Sequence, residues 1–187
     1  MAEKDFAREL KRGFDLIPGF AYKIEDVPVS RLGGIRAGSK GTGAKPFDMF
    51  WIENGRFHAI ENKQEPWALD IRAERKENGK DTPGLKKHQE EALLEVVAAG
   101  GLGWVICHFA GKMSQREQKR WGRISLDRAV AVPIVRIVEE RVLTGATTLN
   151  FDWFQANGVE LPLSGNTVSK RRWDPALLSG GFCVAAH

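Results

Sequence analysis

The chain has 187 residues, of which 42% are hydrophobic and 28% are charged, and its net charge is +4 at pH 7. This composition is typical of a soluble globular protein with a sizeable core. No apolar run reaches the eighteen or so residues that cross a membrane, and the charged N-terminus is unlike a secretion signal, so we expect a cytoplasmic protein. Cys107 and Cys183 lack metal-ligand spacing and are expected to be reduced thiols.

The first predicted elements are a helix, a strand and a basic loop. Residues 3–17 predict an amphipathic helix whose apolar stripe is Phe6, Ala7, Leu10, Phe14 and Ile17, and residues 20–29 predict a strand. Residues 30–45, SRLGGIRAGSKGTGAK, have no periodicity and carry Arg31, Arg36, Lys40 and Lys45 without any acid. This segment is either a solvated loop or a surface for a polyanion such as nucleic acid.

The remaining elements complete an α/β pattern. Residues 46–64 predict a hairpin, residues 65–81 a charged segment that is irregular or a short helix, and Thr82-Pro83 the start of a helix that runs to Ala99. The apolar run 103–109 predicts a buried strand, and further helices are expected at 114–121 and 133–143. The last 40 residues show no clear pattern. The predicted fold class is therefore α/β, a mixed sheet flanked by helices.

The hairpin brings two acids together. Asn54-Gly55 between apolar runs is a strong signal for a two-residue turn, and counting back from it places Asp48 opposite Glu61. In this register Asp48, Phe50, Ile52, Phe57, Ala59, Glu61 and Lys63 share one face, and Phe47, Met49, Trp51, His58 and Ile60 share the other. Carboxylates about 5 Å apart repel each other. Either the open end of the hairpin reaches solvent, or a divalent cation such as Mg²⁺ lies between the acids, with Lys63 beside them.

Two predicted helices also carry polar residues on apolar stripes. Glu3 falls within the stripe of the first helix, whereas Glu9 falls outside it. Gln89 lies inside the stripe of the second helix, and His88 lies at its edge. Glu3 could belong to a frayed first turn, and Gln89 could be satisfied by backbone groups. One shared polar site explains these residues and the hairpin together.

The residues resemble the PD-(D/E)xK nuclease signature. Pro46-Phe47-Asp48 followed by Glu61-Asn62-Lys63, between a helix with an acid and a helix with His88-Gln89, is similar to that pattern. The segments KPFDMF, FHAIENKQ and LKKHQEEALLEVVAAGGLGWVICHF resemble bacterial and phage Holliday-junction resolvases of the RecU type. The resemblance covers about residues 3–110.

The resemblance implies a restriction-endonuclease-like core in a single nuclease domain over 1–187, with 111–187 as a C-terminal extension. It implies a homodimer, in a bacterial or phage-infected cell, that cuts four-way DNA with Mg²⁺, for which Mn²⁺ would substitute. Asp48 and Glu61 would bind the metal, Lys63 would handle the attacking water or the phosphate, and Gln89 would support the site. Glu3 would complete the acid set, with Glu9 as the fallback.

Basic residues near these positions are candidate DNA contacts. They are Arg31, Arg36, Lys40 and Lys45 in the loop, Lys86 and Lys87 on the second helix, and Arg171 and Arg172 beside Trp173. The last cluster could instead be a surface patch with a packed tryptophan. A nucleotide-binding loop at residues 38–46 is not expected, because proline replaces the Ser or Thr and a strand follows. Another nuclease of the same fold, and a non-catalytic DNA-binding module, remain as alternatives.

Overall fold

The computed structural model describes residues 3–24, 45–72, 84–112, 125–165 and 170–179. The helices are α1 (Glu3–Phe14), α2 (Lys87–Ala98), α3 (Ile134–Thr144) and α4 (Phe151–Asn157). The strands are β1 (Phe20–Lys23), β2 (Met49–Glu53), β3 (Arg56–Glu65), β4 (Ala68–Asp70), β5 (Leu102–Lys112), β6 (Ser125–Pro133), β7 (Thr148–Asn150), β8 (Val159–Leu161), β9 (Leu163–Ser164) and β10 (Arg172–Trp173). A short 3₁₀ helix spans Ala176–Leu178.

The described strands form one six-stranded sheet and two small ribbons. The order in the central sheet is β1-β2-β3-β5-β6-β8, and the ribbons are β4–β7 and β9–β10. Strands β3 and β5 are parallel, while the other neighbours in the central sheet are antiparallel. The predicted α/β class with a mixed sheet flanked by helices is confirmed.

Helices cover both faces of the central sheet. On one face, α1 packs Phe6, Leu10 and Phe14 against apolar side chains of β2, β3 and β5, and Trp173 and Leu178 join this cluster. On the other face, Leu93 of α2 and Ile137 of α3 pack with Phe154 of α4. Strand β3 lies between the two layers, so its alternate side chains point into different clusters.

The hairpin register is confirmed where the strands are regular. Glu53 pairs with Arg56, Ile52 with Phe57 and Phe50 with Ala59, and the ladder continues to Met49 and Ile60. Asn54 has φ 49° and Gly55 has φ 77°. Two successive positive φ values form the turn whose twist matches that of paired strands, which is why Asn-Gly is favoured there.

The predicted face of Phe47 in the hairpin is wrong. Phe47 packs in the cluster on the α2 face, with its ring edge-on to Phe57 at 6.2 Å, and not with Met49 and Trp51. Regular pairing stops at Met49, where the Asp48 N–H donates to the Ile60 carbonyl at 3.0 Å. Strict alternation therefore does not extend to residue 47.

Helix α2 begins later than predicted. Gly84 has φ 110°, which is incompatible with a right-handed helix, and Lys86 is extended. The Leu85 N–H donates to the Asp70 carbonyl, so this segment joins β4 to the helix start. The predicted start at Thr82-Pro83 is wrong for residues 84–86, because long-range pairing replaces the local signal.

Other elements confirm or extend the predictions. Helix α1 ends at Phe14 and not at residue 17, while β5 is longer than the predicted strand 103–109 and α3 matches the predicted helix 133–143. Strands β4 and β6 were not predicted. The basic loop 30–44, the helix predicted at 114–121 and Cys183 lie outside the described residues. None of the described helices is long and apolar enough to cross a membrane.

Candidate active site

Glu61, Lys63 and Gln89 form a buried, hydrogen-bonded group on the α2 face of the sheet. The Lys63 ammonium lies 2.8 Å from Glu61 Oε1 and donates to Gln89 Oε1 at 3.0 Å. The Gln89 amide donates to Glu61 Oε1 at 2.5 Å. Their exposed fractions are 1%, 8% and 7% in sequence order. The predicted grouping of these three residues is therefore present.

The local folding of α2 fixes Gln89. Its Oε1 also accepts the backbone N–H of Lys86, at 3.0 Å, so the side chain caps the start of the helix while it faces β3. Leu93, one turn further along α2, is fully buried. The neighbouring Glu90 accepts two hydrogen bonds from Arg141 of α3, each at 2.6 Å. Helix α2 is therefore held to β3 through Gln89 and to α3 through Glu90.

Asp48 lies at the point where the regular hairpin ends. Its Oδ2 accepts the backbone N–H of Asn62 at 2.9 Å, and its Oδ1 lies 2.7 Å from the Lys45 ammonium. The carboxylate thus takes a position in the ladder that a main-chain carbonyl would otherwise occupy. This hydrogen bond to Asn62, the residue between Glu61 and Lys63, places the Asp48 carboxylate close to these two residues.

Burial and charge act in opposite directions on Glu61. Burial raises its pKa to about 7; the charge of Asp48 adds to the rise, and the positive charges of Lys63 and Lys45 reduce it. Near neutral pH this carboxyl is poised between its two protonation states. An added cation would favour the ionised form.

The donor set suits a hard divalent ion. Glu61 Oε2 is buried and has no hydrogen-bond partner among the described residues. Mg²⁺ commonly uses one or two carboxylates together with water and phosphate oxygens. The described residues contain no group of three or more His, Cys, Asp or Glu side chains that could hold a metal. The carboxylates available near Lys63 are the pair Asp48 and Glu61.

The two candidate acids of α1 differ in setting. The side chain of Glu3 lies outside the described part of the chain. Glu9, which falls outside the predicted apolar stripe of α1, is nevertheless only 2% exposed. Its Oε1 lies 3.3 Å from Arg171 Nε, and its Oε2 accepts the Trp173 indole N–H at 3.2 Å. The C-terminal segment covers this side of α1, which the pattern of α1 alone could not reveal.

The candidate DNA contacts are in different environments. Arg31, Arg36 and Lys40 lie outside the described residues, while Lys87 and Arg172 are exposed and Lys86 is partly buried. Arg171 is held between Glu9 and Asp127, with Nη2 3.0 Å from Asp127 Oδ2. Trp173 is 1% exposed and belongs to the core, as the packed-tryptophan alternative has it.

The histidines have packing and hydrogen-bonding roles where they are buried. His58 Nδ1 accepts the Trp104 indole N–H at 3.3 Å, and burial together with Arg56 lowers the pKa of His58 to about 4. His108 Nε2 lies 2.8 Å from Asp127 Oδ1. His88 is exposed, and partial burial with the charges of Lys86 and Lys63 lowers its pKa. Cys107 is a buried free thiol whose pKa is raised by burial.

A scan of protein-family models and a search of curated proteins found no match to this chain. The geometry of Asp48, Glu61, Lys63 and Gln89 is therefore the basis for assigning a function.

Proposed function

We propose that the protein is a metal-dependent endonuclease that hydrolyses phosphodiester bonds in branched DNA, with four-way junctions as its preferred substrate. The observation that carries this proposal is the contact of Glu61 with both Lys63 and Gln89. Asp48 is held beside them by its hydrogen bond from the Asn62 N–H. A structural role alone would not need two nearby acids in a buried setting, because a buried acid without full compensation is destabilising.

The order of elements is consistent with a restriction-endonuclease-like core. Along the chain, α1 and the short strand β1 precede the hairpin of β2 and β3, and β4, α2 and the strand β5 follow it. Strand β5 is parallel to β3. The acid–x–lysine pair is on β3, the second hairpin strand, and the glutamine is on α2. This order agrees with the resemblance to PD-(D/E)xK nucleases and to RecU-type resolvases.

The residues have separate roles in the proposed reaction. Asp48 and Glu61 would hold Mg²⁺, which supplies the charge that acidifies water and neutralises a phosphate. The Lys63 ammonium would stabilise negative charge that grows on the phosphate oxygens. Gln89 is a positioning residue, because it holds both the Lys63 ammonium and Glu61 Oε1.

The test compares four-way and linear DNA as substrates of the purified protein, with and without Mg²⁺, and with Mn²⁺ in its place. The expected result is symmetric, metal-dependent cleavage of the junction with little cleavage of linear duplex. Cleavage of particular linear sequences would instead indicate a restriction-type enzyme. DNA binding without cleavage under every metal condition would indicate a non-catalytic module and would contradict the proposal.

Paired cuts in a junction require two sites, so we propose a symmetric homodimer as the active species. Sedimentation of the protein alone and bound to a junction measures this directly. A monomer in both states would contradict the dimer without affecting the assignment of the site.

A further inference from the structure

A second basic surface lies away from the candidate active site, at the end of α1. It is a recess of about 460 Å³ lined by Arg12, Asp15, Leu16, Gly165, Lys170 and Arg172. We call it the α1 groove. Because α1 and α2 cover opposite faces of the central sheet, the groove is built from a different layer than Gln89.

Close backbone and side-chain contacts form the groove where α1 meets β10. A Cβ added to Gly13 would lie 1.7 Å from the Trp173 carbonyl oxygen, so glycine permits the two backbones to touch. Arg12 donates to the Arg171 carbonyl at 3.3 Å, and the Arg171 side chain turns inward to Glu9 and Asp127. The flanking Lys170 and Arg172 are exposed and line the recess.

The groove carries an excess of positive charge. Three of its six lining residues are cationic, and its one acid, Asp15, is paired with Lys11 of α1. Among the described residues, neither Lys170 nor Arg172 forms an ion pair. A recess that gathers cations in this way attracts anions and concentrates them.

The lining chemistry fits phosphate groups. Guanidinium groups donate forked hydrogen bonds to phosphate oxygens, and an ammonium adds a compact charge. Leu16 is the one large apolar side chain in the lining, whereas protein and membrane partners bind through several apolar anchors. A chain of phosphates is therefore the occupant that these residues favour.

We propose that the α1 groove binds the phosphodiester backbone of nucleic acid, at a place separate from the strand that enters the Glu61–Lys63–Gln89 site. This rests on the proposed function only in taking DNA as the polyanion. A branched substrate has several arms, so one arm can contact the groove while another reaches the opposite layer of the sheet.

The experiment measures the salt dependence of DNA binding in EDTA, so that cleavage does not occur. The variants are Lys170→Gln, Arg172→Gln and the double variant, with Arg136→Gln on α3 as the control for loss of one charge. A fluorescent duplex and a fluorescent four-way junction are the probes. The slope of log affinity against log salt is expected to become shallower by about 1 for each single variant and by about 2 for the double variant. The control is expected to change neither slope nor affinity.

An unchanged salt-dependence slope in the folded double variant would overturn the groove proposal. The proposal would also fail if Arg136→Gln changed the slope as much as Lys170→Gln or Arg172→Gln does. Anionic phosphatidylserine vesicles serve as a second probe, and a loss of vesicle binding with intact DNA binding would also overturn it. The outcomes are separable from those of the proposed function. A protein that never cleaves DNA but shows the slope change keeps the groove, and a junction nuclease without the slope change loses it.

Discussion

Burial and charge have opposite effects on the ionised form of Glu61. This residue is 1% exposed, and its ionised form depends on Lys63, because burial alone raises its pKa. Gln89 can hydrogen-bond to the carboxyl in either protonation state, since an amide both donates and accepts. The group can therefore exist without a metal, and a cation would shift it fully to the carboxylate.

Lys63→Met tests whether the charge of Lys63 keeps Glu61 in its ionised form. Loss of the ammonium is expected to raise the pKa of Glu61 above about 7, so that the carboxyl is protonated at neutral pH and the fold is retained. Cleavage is expected to fall by at least about 100-fold, because a charge that stabilises the transition state is removed. Single-turnover cleavage and NMR titration of the Glu61 carboxyl measure the two effects.

The matched control for Lys63→Met is Lys87→Met, which removes an exposed lysine that lies on α2 near Glu91. It is expected to leave the cleavage rate at saturating DNA unchanged. A Lys63→Met protein that cleaves at the wild-type rate would show that the ammonium has no role in the reaction.

At the scale of elements, the C-terminal segment is bound to α1 and β6 through Arg171. Its guanidinium lies between the buried Glu9 of α1 and Asp127 of β6, and Trp173 donates to the same Glu9 carboxylate. His108 of β5 completes the network through Asp127. Removing one partner of a buried ion pair leaves the other charge uncompensated.

Arg171→Leu is therefore expected to reduce the free energy of unfolding by about 3–5 kcal/mol near pH 8. Urea denaturation at pH 8 measures the loss. Arg172→Leu, at the adjacent exposed position, is expected to change stability by about 0.5 kcal/mol or less. Equal losses in both variants would contradict the network.

The elements also show which features are encoded locally. The Asn54-Gly55 turn and the pairing up to Met49–Ile60 follow from the residues themselves, because two positive φ values and strand alternation are local properties. The stripe of α1 is equally local. The start of α2, the position of Phe47 and the burial of Glu9 were not predictable, because each depends on a partner that is distant in sequence: Asp70, Phe57 and Arg171 respectively.

At the scale of the whole molecule, the candidate site was more predictable than the complete fold. The grouping of Glu61, Lys63 and Gln89 could be predicted from the sequence. Strand alternation places Glu61 and Lys63 on one face of the hairpin, and helical periodicity places Gln89 on the inward face of α2. Strand β6 has no turn signal that separates it from α3, and the ribbons β4–β7 and β9–β10 have strands of only two or three residues. Such short strands are specified by pairing and not by pattern.

The stability of the whole protein is expected to fall in mild acid because of His58. Its pKa is lowered to about 4 in the folded protein by burial and by Arg56, so below pH 6.5 the unfolded chain binds a proton that the folded protein does not. This histidine alone should reduce the free energy of unfolding by at most about 3 kcal/mol between pH 6.5 and pH 4, and the reduction stops below pH 4.

His58→Gln removes this titration while keeping a side chain that can accept the Trp104 N–H. Its unfolding free energy, measured by urea denaturation from pH 7 to pH 4, is expected to fall less steeply than that of the wild type. Identical pH profiles for the two proteins would contradict the assignment of His58 as a buried neutral acceptor.

The most direct test of the nuclease proposal is the Mg²⁺-dependent cleavage of a four-way junction by Asp48→Asn. Asparagine can still accept the Asn62 N–H, so the hairpin end is preserved while the negative charge is lost. Cleavage is expected to fall by at least about 1,000-fold while junction binding in EDTA is retained. Cleavage by Asp48→Asn at the wild-type rate would contradict the claim that Asp48 and Glu61 hold the metal.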